Sequence, residues 1–116
     1  MPDIERLDPA GHLSAAVAFD KLVFVSGQVA EKLDEGITAQ TQSVLAKLDR
    51  LLNRAGSDRT RILFAQIWLK DIGDRDAVNA VWSPWIGAHP SARACVQSAL
   101  ANPKMLIEIA AIAARN

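Results

Sequence analysis

Residues 60–70, Thr-Arg-Ile-Leu-Phe-Ala-Gln-Ile-Trp-Leu-Lys, restrict the folds open to this chain more than any other segment. The segment is rich in β-branched and aromatic residues, which predicts a β-strand. Alternation would give it two apolar faces, one with Leu63, Ala65, Ile67 and Leu69, the other with Ile62, Phe64 and Trp68. A single helical layer covers only one side of a small sheet. We therefore expect the second face to pack against another subunit.

The remaining hydrophobic periodicity alternates between strand and helix. Strands are predicted at 14–18, 21–26, 92–98 and 105–114, with a turn between the last two around Asn102-Pro103. One helix should begin at a Thr38 cap and end before Gly56, and a second should begin at Asp74, with Pro84 kinking it or starting its last turn. The order β-β-α-β-α-β-β predicts an α+β sandwich of one domain, residues 1–116, with two helices on one face of a mixed sheet.

Composition narrows the range of partners and compartments. The 13 basic and 13 acidic side chains cancel, and no stretch concentrates one sign, so we expect no nucleic-acid partner. No apolar run is long enough to span a membrane and no basic, apolar leader opens the chain, which favours a cytoplasmic protein without membrane contact. The single cysteine, Cys95, excludes an internal disulfide and suits a reducing compartment.

Two charged residues, Arg93 and Glu108, interrupt the last two apolar strands. If these strands form a hairpin, the two side chains lie roughly opposite each other and could face one pocket. One interpretation is an ion pair that orients the sheet or an interface, and periodicity alone favours it because structural ion pairs are common. The other is a catalytic pair, in which Arg93 binds a substrate carboxylate through its planar donor fork and Glu108 moves protons or positions water.

The other polar candidates each have a structural interpretation beside the functional one. Cys95 would share a strand face with Arg93, but without a histidine partner it is predicted to be a small buried thiol. Gly27 ends a strand and could offer backbone donors to a ligand, or simply form a turn or bulge. Asn79 could be a surface residue of the second helix or point into a pocket. No metal is expected, because the two histidines, His12 and His89, and the carboxylates do not have the spacing of a metal site. The three tryptophans fit packing in the core or at an interface: Trp68, Trp82 and Trp85.

The chain resembles the YjgF/RidA family over nearly its whole length. The resemblance rests on the order and spacing of short segments at 22–28, 39–41, 55–57, 77–79, 92–96, 107–109 and 111–113. It implies a fold like that of the trimeric type of chorismate mutase, a homotrimer with a central barrel, helices outside and clefts between subunits. It also implies hydrolytic deamination of small reactive 2-imino or enamine acids to 2-keto acids and ammonia, without a cofactor.

The resemblance assigns roles to individual residues. The arginine that binds the substrate carboxylate in deaminating members corresponds to Arg93, and a residue contributing through its backbone corresponds to Cys95. The family glutamate, with a proposed role in placing or activating water, corresponds to Glu108, and the strand-end glycine corresponds to Gly27. Asn79 is a further candidate for substrate binding.

One segment departs from the family pattern. Many members have Gly-Pro-Tyr-Ser where this chain has Gly-His-Leu-Ser at 11–14, so Leu13 would give the cleft an apolar wall and change substrate preference. An alternative function is that of a non-catalytic, ligand-binding or chaperone-like member using the same clefts. The endoribonuclease or translation-inhibitor activity described for some members fits poorly with the neutral charge.

Overall fold

The computed structural model describes residues 2–116 as a mixed β-sheet with two α-helices packed on one of its faces. The helices are α1 (Ile37–Arg54) and α2 (Arg75–Ile86), which also contact each other. The strands are β1 (Ile4–Leu7), β2 (Ala16–Phe19), β3 (Leu22–Gln28), β4 (Ile62–Leu69), β5 (Ala92–Gln97) and β6 (Ile107–Ala114). The predicted architecture of two helices on one face of a mixed sheet is therefore confirmed. No helix in this part of the chain is long and apolar enough to cross a membrane.

The strands lie in the order β1-β2-β3-β6-β4-β5. Only β4 and β5 run parallel, since α2 connects them as a crossover; every other neighbouring pair is antiparallel. The predicted hairpin of the last two strands is wrong, because β4 lies between β5 and β6. The edge strand β1 was not predicted from the sequence, as Ile4-Glu5-Arg6-Leu7 is largely exposed and lacks apolar alternation.

The helix-facing side of the sheet forms the core. In β6, buried residues alternate with half-buried ones, and the buried set is Ile107, Ile109, Ala111 and Ala113. The α1 stripe that covers them consists of Val44, Leu45, Leu48, Leu51 and Leu52. Gly36, rather than the predicted Thr38, caps α1: its carbonyl accepts the first helical hydrogen bond, from Gln40 N at 2.9 Å, without a side-chain cap. Gly56 follows the last turn with φ +86°, a conformation that favours glycine.

The opposite face of the sheet carries no helix and is apolar. Its exposed side chains include Leu22, Phe24, Phe64 and Val96, between 36% and 45% exposed. A register shift between Ile62 and Phe64 adds one residue to β4, so Ile62 turns to the core while Leu63 is 49% exposed. Strict alternation predicts the reverse, with Leu63 on the face of Ala65 and Ile62 on the face of Phe64, and is wrong for these two residues. The expected second apolar face is present nevertheless, with a hollow of about 180 Å³ between residues of β3, β4 and β6.

A buried amide ties α1 to the loop that leads into β6. Gln40 is 1% exposed, and its Nε2 donates to the carbonyls of Glu35 at 2.9 Å and Lys104 at 3.0 Å. Its Oε1 accepts from the backbone N–H of Leu106 at 3.0 Å. Because all these partners are backbone groups, the side chain fixes where β6 begins, and hence where Glu108 is located.

Candidate active site

Arg93 lies on the helix-facing side of β5. It pairs with Ala65 of β4, which is completely buried beneath the helices, and paired residues point to the same side of a sheet. Its Nη2 donates to Asn79 Oδ1 at 2.7 Å, and its Cζ lies 5.4 Å from the ring centroid of Trp82. Asn79 and Trp82 are three residues apart on α2 and so share one helix face. Two side chains of α2 therefore hold the guanidinium.

The charge of Arg93 has no carboxylate partner among residues 2–116. Each ion pair in this part of the chain involves a different cation, namely Lys47, Arg54, Arg59 or Arg115. A groove of about 450 Å³ opens beside the half-buried Arg93, lined also by Asn79, Trp82, Ser83, Ile86, Pro90 and Ser91. A half-buried guanidinium with donors to spare, next to a groove, is suited to binding a small carboxylate.

Glu108 lies on the other, helix-free side of the sheet. It pairs with Trp68 of β4 and sits between the fully buried Ile107 and Ile109, which point to the helices. Its carboxylate lies against Gly27, where a β-carbon would be 2.9 Å from the carboxylate carbon. Gly27 falls in the irregular stretch of the β3–β6 pairing between Val25 and Gln28. The missing side chain thus creates the space that Glu108 occupies.

Arg93 and Glu108 are not brought together within one chain. Their partners on β4, Ala65 and Trp68, are three residues apart, so the two side chains point to opposite faces. They are also offset by about 10 Å along the strands and separated by two strand spacings, again about 10 Å. The interpretation as an ion pair within the sheet is therefore wrong, and so is a shared pocket built by one chain.

The other candidates divide between these two positions. Cys95 pairs with the buried Ile67 and packs against the core, on the side of Arg93 and Asn79. Leu13 is 52% exposed at the end of a tight turn, where it forms an isolated bridge with Ala10. Ser14, the next residue, accepts a 2.6 Å hydrogen bond at its carbonyl from Ser26 Oγ, directly before Gly27. The turn that carries Leu13 is thereby tied to the strand that holds Gly27.

Sequence reasoning missed the role of Trp82, which was interpreted only as a packing residue. It is indeed 5% exposed, but its ring also faces the Arg93 guanidinium. The helical spacing of Asn79 and Trp82 was the available signal, because two residues three apart on α2 contact the same neighbour. No group of three or more potential metal ligands occurs in residues 2–116.

The comparisons with known proteins agree in one family. The family model described as "Endoribonuclease L-PSP" matches residues 3–115. A "RutC family protein" from Haemophilus influenzae is 37% identical over 112 residues, which cover 95% of this chain and 97% of the relative. The "3-aminoacrylate deaminase RutC" of Acinetobacter baylyi is 36% identical over 106 residues, covering 84% and 82% of the two chains. A crystal structure of a YjgF family member from Neisseria meningitidis has a TM-score of 0.95 at 40% identity, covering 98% of this chain and 96% of its own.

Proposed function

Because this chain belongs to the YjgF/RidA family, represented by the endoribonuclease L-PSP model, we propose that it hydrolyses reactive 2-imino or enamine acids to 2-keto acids and ammonia. The observation that carries the proposal is the half-buried Arg93 guanidinium, which Asn79 and Trp82 hold and with which no carboxylate of residues 2–116 pairs. A site of this kind selects small substrates with a carboxylate.

The proposed cleft needs two copies of the chain, because Arg93 and Glu108 face opposite sides of one sheet. One subunit contributes Arg93, Asn79 and the backbone at Cys95, and its neighbour contributes Glu108 and Gly27 with Leu13 beside them. The exposed apolar face of β3, β4 and β6 is the surface available for assembly. We propose a homotrimer, the assembly implied by the resemblance, with the site repeated at each boundary between subunits.

The proposed reaction needs only positioning and proton transfer. Arg93 binds the substrate carboxylate in the plane of its guanidinium, which fixes the adjacent C=N carbon. A water molecule beside the Glu108 carboxylate adds to that carbon, and Glu108 accepts the proton that the water loses. Glu108 returns that proton to the former imine nitrogen, which gives a neutral carbinolamine. Glu108 then takes the proton of the carbinolamine hydroxyl and passes it to the amine, so that the C–N bond breaks and ammonia leaves as the C=O bond forms. An enamine substrate must first take a proton on carbon to become the imine.

The substrate class is supported by one relative and shaped by one residue. The relative from Acinetobacter baylyi carries the name of a deaminase acting on 3-aminoacrylate, which is chemically an enamine with a carboxylate. Leu13 is an exposed apolar side chain on the turn that Ser14 ties to Ser26, the residue before Gly27, and we propose that it lines the cleft. We expect a preference for imines with apolar side chains over those with polar ones, because Leu13 cannot form a hydrogen bond.

The decisive experiment follows keto-acid release from freshly generated imines of several amino acids, with Arg93→Ala and Glu108→Gln as comparison variants. Each variant alone should be strongly impaired. When the two are unfolded together, mixed and refolded, about a quarter of the boundaries receive both native residues and regain activity. Recovery supports a cleft built by two subunits. If the mixture stays as inactive as its components although light scattering shows assembled trimers, the cleft assignment is wrong.

The same assay separates the alternatives. Tight binding of a 2-keto acid without imine turnover by the wild type would identify a ligand-binding member of the family. The family model is named after an endoribonuclease activity. A chain of net charge zero lacks the excess of basic residues that would attract the RNA backbone. Cleavage of RNA that survives in Arg93→Ala, together with no imine turnover in the wild type, would contradict the proposed function.

A further inference from the structure

Two arginines of this structure lie over the rings of two tryptophans of α2. The Cζ of Arg93 lies 5.4 Å from the ring centroid of Trp82, and the Cζ of Arg59 lies 5.0 Å from that of Trp85. The two indole rings contact each other, with centroids 5.3 Å apart and planes tilted by 48°. The four side chains therefore form one continuous row of contacts in the order Arg93, Trp82, Trp85, Arg59.

At the end of the row away from Arg93, a carboxylate binds both Arg59 and Trp85. Asp49 of α1 accepts from Arg59 Nε at 3.0 Å and from its Nη2 at 2.6 Å, and also from Trp85 Nε1 at 3.0 Å. Arg59 Nη1 donates in addition to the Trp85 carbonyl at 3.2 Å. Trp85 is therefore held by hydrogen bonds to both its ring nitrogen and its backbone carbonyl, and its ring packs against that of Trp82.

At the other end of the row, Arg93 lies over Trp82 as Arg59 lies over Trp85, but its hydrogen-bond partner is different. Arg93 donates to the neutral amide of Asn79, and it takes part in no ion pair within residues 2–116. Trp82 is 5% exposed, so its ring is held by the core on one side and meets the guanidinium on the other. Within residues 2–116, no carboxylate binds Arg93 in the way that Asp49 binds Arg59.

An indole ring can orient an arginine without using its hydrogen-bond donors. The guanidinium is attracted through its face, whereas a carboxylate binds along its edge, in the plane of the N–H groups. An acidic partner would also hold Arg93, but it would bind along the edge that a substrate carboxylate needs. We infer that Trp82, supported by Trp85, is a positioning residue that fixes the plane of Arg93 for carboxylate binding.

This inference rests on the proposed function, and a double-mutant cycle tests it by binding rather than turnover. Pyruvate, the smallest 2-keto acid, is titrated by NMR into wild type, Trp82→Leu, Arg93→Ala and the double variant. We expect Trp82→Leu to weaken pyruvate binding by about two- to thirtyfold, the range of a cation–π contact. In the Arg93→Ala background the same substitution should have no further effect, because it acts through Arg93. Trp82→Phe keeps an aromatic ring and should fall between Trp82→Leu and wild type.

A second measurement detects positioning directly and needs no ligand. Relaxation of the Arg93 ¹⁵Nε signal, assigned by its loss in Arg93→Ala, should report a rigid side chain in wild type and a mobile one in Trp82→Leu. If Trp82→Leu does not fold, Trp82→Phe is compared with wild type in both measurements. Val78→Ala, which truncates a buried residue of the same helix and leaves both tryptophans in place, is the control for general loosening of α2.

The outcomes separate this inference from the proposed function. If Arg93→Ala binds pyruvate as wild type does, the carboxylate anchor is wrong and the inference fails with it. If Arg93→Ala is weakened but folded Trp82 variants bind normally with a rigid Arg93, only the inference is overturned. It is equally overturned if Trp82→Leu weakens binding by the same factor with and without Arg93, or if Val78→Ala weakens it as strongly.

Discussion

The carboxylate of Glu108 occupies the space where Gly27 lacks a side chain. A β-carbon at Gly27 would lie 2.9 Å from the carboxylate carbon, closer than β-carbons approach other atoms, and 3.1 Å from the Glu108 Cγ, which is tighter than most contacts of a β-carbon. The two residues come from neighbouring strands, β3 and β6, where the pairing is irregular between Val25 and Gln28. Because Gly27 has no side chain, the neighbouring strand leaves room for the carboxylate of Glu108, the proposed proton acceptor.

Gly27→Ala should displace Glu108 and lower kcat by about 10- to 100-fold, because small misplacements of a catalytic group have costs of this size. Binding of the substrate carboxylate, which depends on Arg93, should change little. Steady-state kinetics on a freshly generated imine measures both. Gly36→Ala is the control for adding a methyl group: a β-carbon there meets nothing within 4 Å, so the change at this helix cap should lower stability slightly but leave kcat unchanged. Equal kcat values for Gly27→Ala and wild type would contradict the role of this contact.

Substitutions of Arg93 and Glu108 should differ in their kinetic signatures. Arg93→Lys keeps the charge but loses the bidentate fork, so KM should rise about ten- to a hundredfold, equivalent to about 1.5–3 kcal/mol. Glu108→Gln keeps the shape but removes the proton acceptor, so kcat should fall about 100-fold or more with KM less affected. Both variants must first be shown to assemble. A trimeric Glu108→Gln with wild-type kcat would leave water activation to backbone groups or to the substrate.

Cys95→Ser should retain most of the activity. Cys95 is half-buried, pairs with the buried Ile67 and packs against the core, while its proposed contribution to the cleft comes from the backbone. Serine preserves that backbone and nearly the same volume, so kcat/KM should stay within about threefold of wild type. A loss as deep as that of Arg93→Ala, in a variant that remains folded, would mean that the thiol takes part in the chemistry.

Gln40→Met should lower the free energy of unfolding by about 2–4 kcal/mol, because the variant leaves the buried N–H of Leu106 and the carbonyls of Glu35 and Lys104 without their partner. Methionine fills a similar volume, which isolates the hydrogen bonds. Urea unfolding at one fixed protein concentration measures the difference, since assembly also contributes to stability. Gln42→Met, at an exposed position of the same helix, should be nearly neutral.

The pH dependence of stability should include a contribution from Asp58. Its side chain caps the short 3₁₀ turn Arg59–Arg61, and hydrogen bonds from the Thr60 hydroxyl and then from the Thr60 N–H lower its pKa below the ordinary 3.8. A lowered pKa in the folded state stabilises the fold above the ordinary value, and this stabilisation is lost as the pH falls through the folded-state pKa.

Asp58→Ala should therefore destabilise the protein at pH 7 by about 1 kcal/mol, a typical value for a capping side chain. The difference from wild type should shrink as the pH falls from about 4, where the carboxylate of the unfolded chain takes up a proton, through the lower pKa of the folded state. Urea unfolding of both proteins at pH 7 and pH 3 tests this. Asp58→Asn keeps an oxygen acceptor and should be affected less at pH 7. A difference between wild type and Asp58→Ala that is independent of pH would contradict the contribution of the charge.

Periodicity predicted those parts of the fold in which burial follows the spacing of apolar residues. The two-faced strand β4 and the helix α1 belong to this group, as does the apolar face left without a helix. The strand β1 was missed because it is an edge strand, pairs only with β2 and is largely exposed. Its sequence therefore carries no pattern of burial.

The relative position of Arg93 and Glu108 was predicted wrongly because adjacency in sequence was taken for adjacency in the sheet. The order strand, helix, strand from β4 to β5 favours a parallel crossover, which puts β5 beside β4 at the edge and leaves β6 to pair on the other side. The contact of Trp82 with Arg93 depends on where α2 rests on the sheet, a tertiary arrangement that local periodicity does not contain.

The location of Arg93 and Glu108 on opposite faces of the sheet separates folding from function in the proposed enzyme. An isolated chain can complete its core and still have no cleft, so the number of working sites depends on an association equilibrium rather than on the free energy of unfolding. Specific activity would then decline on dilution while the secondary structure stays intact. Substitutions that weaken the apolar face around Phe24 and Phe64 would reduce activity without altering a single group that touches the substrate.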